Sequence, residues 1–173
     1  QTLASASVDG TIKLWSLQGA ELKTLDSQKD TVFDVSFSPN GQIIASASLD
    51  GTVKLWNLQG QELKTLRGHT GGVISVRFSP DGRTFASAGY GVIKLWNLQG
   101  EEIKTFEGHS GWINSFSFSP DGQTLASTGD DNTVRLWSLE GKEPKILTGH
   151  SGSVRSVSFN TDGQILASAS GDG

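Results

Sequence analysis

The sequence predicts an all-β protein built of four-stranded antiparallel units, and three observations carry that expectation. A tetrapeptide of the form Lys/Arg-Leu-Trp-Ser/Asn recurs at Trp15, Trp56, Trp96 and Trp137, spaced 41, 40 and 41 residues apart. Two further landmarks keep the same register: the triplets closing on Ser5, Ser46, Ser87, Ser127 and Ser168, and the turns closing on Gly41, Gly82, Gly122 and Gly163. No stretch carries the i, i+3, i+4 apolar stripe of an amphipathic helix. A fixed period near 40 residues marks a repeat architecture, in which each unit buries its faces against its neighbours.

Within one period the strands read in order. Val73 to Phe78 alternates, with Ile74, Val76 and Phe78 on one side, and the turn Pro80-Asp81-Gly82 ends it. Thr84 to Ala88 is a strand of small residues, suited to close approach of a neighbouring sheet. Val92 to Leu98 is β-branched and aromatic and carries Trp96. Gln99-Gly100 then turns the chain into Glu102 to Phe106, which alternates charged and apolar residues as an outer edge should. The same reading along the chain divides it into a partial unit at 1–28, full units at 29–69, 70–109 and 110–150, and a partial unit at 151–173. Seventeen strands are expected in all.

Composition narrows the function classes. Apolar content of 35% with 18% charged residues is that of a folded domain, not a charge-driven disordered chain. A net charge of −4 and a pI near 5.3, with no Lys/Arg run, predict no general binding to nucleic acid or to an anionic membrane. No apolar stretch approaches the roughly 18 residues of a membrane helix. The absence of cysteine removes thiolate chemistry and favours a reducing, cytoplasmic setting.

The period, the four strands, the Gly-His pair before the first strand and the Trp ending the third resemble the WD-repeat β-propellers over essentially the whole chain. The resemblance implies radial blades, each with its first strand at a central channel. Two features depart from the family pattern. The Asp that usually follows the Trp is Ser16, Asn57, Asn97 and Ser138 here, and one Gly-His is replaced by Ser27-Gln28. The near-identical repeats look like those of bacterial, especially cyanobacterial, members, where attached effector domains are common.

The resemblance also implies a network in which the His bonds a second-strand Ser, a turn Asp and the Trp indole. Carried over, the sets are His109, Ser127, Asp131 and Trp137, and then His150, Ser168 and Asp172. Their counterparts elsewhere are His69, Ser87 and Trp96; Ser46, Asp50 and Trp56; and Ser5, Asp9 and Trp15. On paper a Ser-His-Asp trio is a catalytic triad. A trio repeated once per blade and ending on an indole is expected instead to lock the blade. The nucleophile-elbow pattern fails at both Gly-His-Ser-Gly sites, and no phosphate loop or calcium loop occurs. No catalytic residue, cofactor or metal is therefore expected.

In a near-uniform repeat the residues that break it carry the information. Family contacts with partners cluster on one face, beside the first apolar residue of strand one and before the turn Asp. Mapped by register, this implies a partner-binding set of Phe33, Leu49, Ile74, Tyr90, Trp112, Asn114, Asp130 and Arg155, with Phe33, Ile74, Tyr90 and Trp112 as an exposed apolar arc. The unit at 70–109 is one residue short at Ser87-Ala88-Gly89-Tyr90-Gly91-Val92 and lacks the network Asp. The expected function is a non-catalytic scaffold binding a peptide or protein, or else a sensor segment of a larger bacterial signalling protein. The chain opens and closes on a second strand, which favours part of a larger propeller, or one completed by a second chain. A self-closed ring of four blades would instead bring His150 to Ser5, Asp9 and Trp15.

Overall fold

The computed structural model describes residues 2–26 and 30–173. The first sheet has the order β1 (Thr2–Ala6), β2 (Thr11–Ser16), β3 (Glu21–Asp26). The second runs β4 (Val32–Phe37), β5 (Ile43–Ser48), β6 (Val53–Asn57), β7 (Glu62–Leu66). The third holds six strands in chain order: β8 (Val73–Phe78), β9 (Thr84–Asn97), β10 (Glu102–Phe118), β11 (Thr124–Gly129), β12 (Val134–Ser138) and β13 (Lys145–Leu147). The last pairs β14 (Val154–Phe159) with β15 (Leu166–Ser170). All pairings are antiparallel meanders, and the described residues contain no helix. The fold is an all-β propeller of four-stranded blades.

The core lies between blades, which explains the Ala/Ser alternation of every second strand. Successive side chains on a strand point to opposite faces. On β5 one face carries Ala45 and Ala47, clustered with Val73, Val76, Phe78, Phe85 and Trp96 of the following blade. The other face carries Ile44, clustered with Ile12, Leu14 and Leu25 of the preceding blade, beside Trp56. The arrangement repeats one blade on, where Ala86 and Ala88 share a cluster with Phe116, Phe118 and Trp137. Each alanine pair is a flat floor for the next blade's tryptophan. A larger side chain there would push two sheets apart.

At one end of the sheets the Pro-Asp-Gly turns stack. Ser79 Oγ donates to Asp81 Oδ1 at 2.6 Å, and Asp81 Oδ1 accepts from Arg83 N at 3.0 Å. Gly82 takes φ +67°, and a Cβ there would lie 3.1 Å from Pro39 of the preceding blade. That close approach, together with the left-handed backbone, selects glycine.

Two arms that the sequence separates run together. The fifteen elements among the described residues hold the seventeen expected strands, because β9 and β10 each contain two arms. β9 folds back at Gly91, whose φ is +71°, and its two arms meet where Trp96 bonds Ser87. The shortened turn leaves no loose residues, so pairing continues through it, with Tyr90 opposite Trp112 on β10.

The terminal sheets are separate and not joined as a self-closed ring of four blades would join them. The short Asn160–Ile165 connection holds β15 against β14, from Val154↔Ser170 to Phe159↔Leu166. His150 therefore meets Ser168 and Asp172, not Ser5, Asp9 and Trp15.

Candidate functional site

The blade network is complete at His109. Trp137 Nε1 donates to Ser127 Oγ at 2.7 Å, Ser127 Oγ lies 2.8 Å from His109 Nε2, and His109 Nδ1 lies 2.9 Å from both oxygens of Asp131. Asp131 also accepts from Ser110 N at 3.1 Å and from Thr133 Oγ1 at 2.8 Å, and Arg135 stands 3.5 Å away. Burial works against the Asp131 carboxylate, but bonds from His109, Thr133 and Ser110 prevail and hold its pKa at about 2. Burial lowers the pKa of His109 in spite of that partner. Ser127 is fully buried between an indole and an imidazole, so its hydroxyl cannot meet a substrate carbonyl. The trio is a lock.

The other blades carry parts of the same set. His150 repeats it, with Ser168 Oγ at 2.9 Å and Asp172 at 3.0 Å, in a more exposed setting. His69 Nε2 lies 2.7 Å from Ser87 Oγ, which accepts from Trp96 Nε1 at 2.8 Å. Burial, aided by the Lys94 charge, lowers the His69 pKa to about 4. Trp56 Nε1 donates to Ser46 and Trp15 Nε1 to Ser5, both at 2.9 Å. The Ser27-Gln28 substitution lies outside the described residues. Asp9 and Asp50 serve their own turns, each accepting from a Thr N–H and hydroxyl, Thr11 and Thr52 respectively. The link of Asp9 to His150 that a self-closed ring would make is not formed, because His150 meets Ser168 and Asp172.

The rim residues fall into two groups. Tyr90 (61% exposed) meets Trp112 edge-on, with ring centroids 5.6 Å apart. With Leu49 (41% exposed) they line a cleft of about 550 Å³ that also holds His69. Asp130 accepts from Asn114 Nδ2 at 2.9 Å and Ser153 Oγ at 2.5 Å, with Arg155 at 3.6 Å. Ser153 and then Asn114 hold the Asp130 pKa below its ordinary value. Phe33 (46% exposed) and Ile74 lie outside both groups. Ile74 and Trp112 are half-buried, not exposed as the register implies. For Trp112 the reason is its packing against Tyr90, made possible by the shortened turn.

Sequence reasoning missed two sets of ion pairs. Asp34 on β4 accepts from Arg77 and, at 3.0 Å, from Ser75 Oγ on β8, tying two first strands together. Lys13–Glu21, Lys54–Glu62 and Lys94–Glu102 bridge third to fourth strands at 2.6 to 2.8 Å. The recurring Lys in the tryptophan motif and Glu in the next strand were the available signal. Among the described residues no group of His, Cys, Asp and Glu could hold a metal ion, and no helix is long and apolar enough to cross a membrane.

The model of the family "WD domain, G-beta repeat" matches residues 1–16, 19–57, 60–97, 100–138 and 141–173. The chain belongs to the WD-repeat family. The segments 19–57, 60–97 and 100–138 each end with the third strand of a blade, so one full repeat joins the outer strand of one blade to three strands of the next. The WD40 repeat-containing protein HOS15 of Arabidopsis thaliana is 46% identical over 44 residues, which is 25% of this chain and 7% of that protein. WD repeats in general mediate contacts between proteins and are not catalytic.

Proposed function

We propose that this chain is an interaction module that binds a peptide or protein surface on the channel face of its blades. The observation that carries the reading is the cleft flanked by Leu49, Tyr90 and Trp112, where aromatic and aliphatic side chains stand together at the repeat's one shortened turn. Large, amphipathic rings held rigidly in place are what interfaces use as anchors. Phe33 and Ile74 extend the apolar surface, and Asn114, Asp130 and Arg155 form a polar margin that sets encounter rate more than affinity. The reading includes a cytoplasmic setting, supported by the absence of cysteine. It also includes a propeller completed by further blades, in a longer chain or in a second one, supported by the separate terminal sheets. Membership of a larger bacterial regulatory protein rests on repeat regularity alone.

Affinity capture with the intact chain and its Trp112→Ala form tests the reading. Removing the ring should weaken partner binding more than about tenfold. Thermal melting should change little, because a half-buried rim side chain contributes few core contacts. Equal capture by both forms would count against this face.

A further inference from the structure

The blade of β8 and β9 keeps Trp96, Ser87 and His69 but has nothing where Asp131 stands one blade on. Gly91 (φ +71°) and Asn132 (φ +62°) are the matching left-handed residues, and counting back from them places the missing residue at Asp131 itself. Three of the groups around Asp131 are nevertheless retained, while the Thr133 hydroxyl is replaced by Val92. His69 Nδ1 corresponds to His109 Nδ1, Thr70 N to Ser110 N, and Lys94 to Arg135.

Proton direction makes His69 Nδ1 a donor. The Trp96 N–H can only donate, and Ser87 Oγ receives it; among the described residues His69 Nε2 is the other side-chain partner of this fully buried hydroxyl, which assigns the Ser87 proton to Nε2. The imidazole proton is then on Nδ1. Among the described residues neither that N–H nor the N–H of Thr70 has an acceptor. Both border the cleft of about 550 Å³ lined by Leu49, Tyr90, Lys94 and Trp112.

Resting on the interaction reading above, we propose that this cleft takes an aspartate side chain of a partner peptide, flanked by apolar residues. The incoming carboxylate would occupy the place of Asp131, with the flanking side chains against Leu49, Tyr90 and Trp112. Charge favours this over the neighbouring blade's arrangement, since Tyr90 stands where that blade has Asp130. Lys94 supplies the cation, its Nζ shared with Glu102 at 2.7 Å and Thr105 at 3.1 Å. Glu107, also on the cleft, opposes an anion, but it is exposed and screened by solvent.

The test titrates the whole 173-residue chain with two capped tripeptides, Leu-Asp-Leu and Leu-Asn-Leu, while NMR follows the His69 imidazole and the Trp112 indole. The aspartate probe should give saturable shifts at both, with Kd on the order of 1 mM, and the asparagine probe should bind at least about fivefold more weakly. Inserting an Asp between Tyr90 and Gly91 should supply the carboxylate internally and abolish the His69 shift. If that variant does not fold, the contrast between probes on the unaltered chain still decides. No saturation at His69 up to about 20 mM, or equal binding of both probes, would overturn the proposal. That failure beside a Trp112-dependent partner interaction would leave the interaction face standing. Probe binding without any effect of Trp112→Ala on capture would do the reverse.

Discussion

An indole N–H donates and cannot accept, and this polarity runs through the complete network as Trp137 to Ser127 to His109 to Asp131. At His109 the chain of donors ends on Asp131; at His69 it ends on a cleft. The difference sets the acid response. The His69 pKa in the folded chain is about 4, below the ordinary 6.5, so the unfolded chain takes up a proton that the folded chain refuses between those values. Stability therefore falls as pH drops from about 6.5 to about 4 and the loss levels off below that. The loss assigned to His69 should be on the order of 3 kcal/mol. Urea unfolding at pH 7, 5.5 and 4 should show it, and His69→Gln should flatten part of the slope. An unchanged slope would assign the titration to other groups, His109 first, since burial lowers its pKa too.

Short strands and tight turns were legible in the sequence because their signals are local: alternation of period two, and glycine where φ must be positive. The continuity of β9 and β10 was not, because it depends on what the shortened turn touches. Gly91 shows the point. A Cβ there would lie 2.9 Å from the His109 carbonyl oxygen, on a backbone already left-handed. Gly91→Ala should therefore destabilise the chain by more than about 1 kcal/mol. Gly41→Ala has the same sign of φ but open space around it and should cost less. Chemical denaturation of the two variants compares strain plus crowding with strain alone, and equal losses would remove the crowding argument.

Among the described residues, the separate terminal sheets leave strand edges unpaired at β1 and β15. Exposed edges with apolar neighbours such as Leu3 and Ile165 are templates for pairing with another chain. Head-to-tail contacts of this kind need not close, so association should grow with concentration. Light scattering of the 173-residue chain over a hundredfold concentration range should show a rising mean mass. A constant monomer mass would show that these edges are protected in solution.

The repeat period, the blade-locking residues and the absent carboxylate in one turn were all determined by the sequence, because each is a matter of residue type at a fixed spacing. Tertiary structure alone decided which face of each strand meets which neighbour and that Trp112 rests half-buried on Tyr90. It also decided that the donors left by the missing Asp open onto a cleft. Alternation says that two faces differ, but not what lies across from either. That depends on how the sheets stack and where the chain turns back.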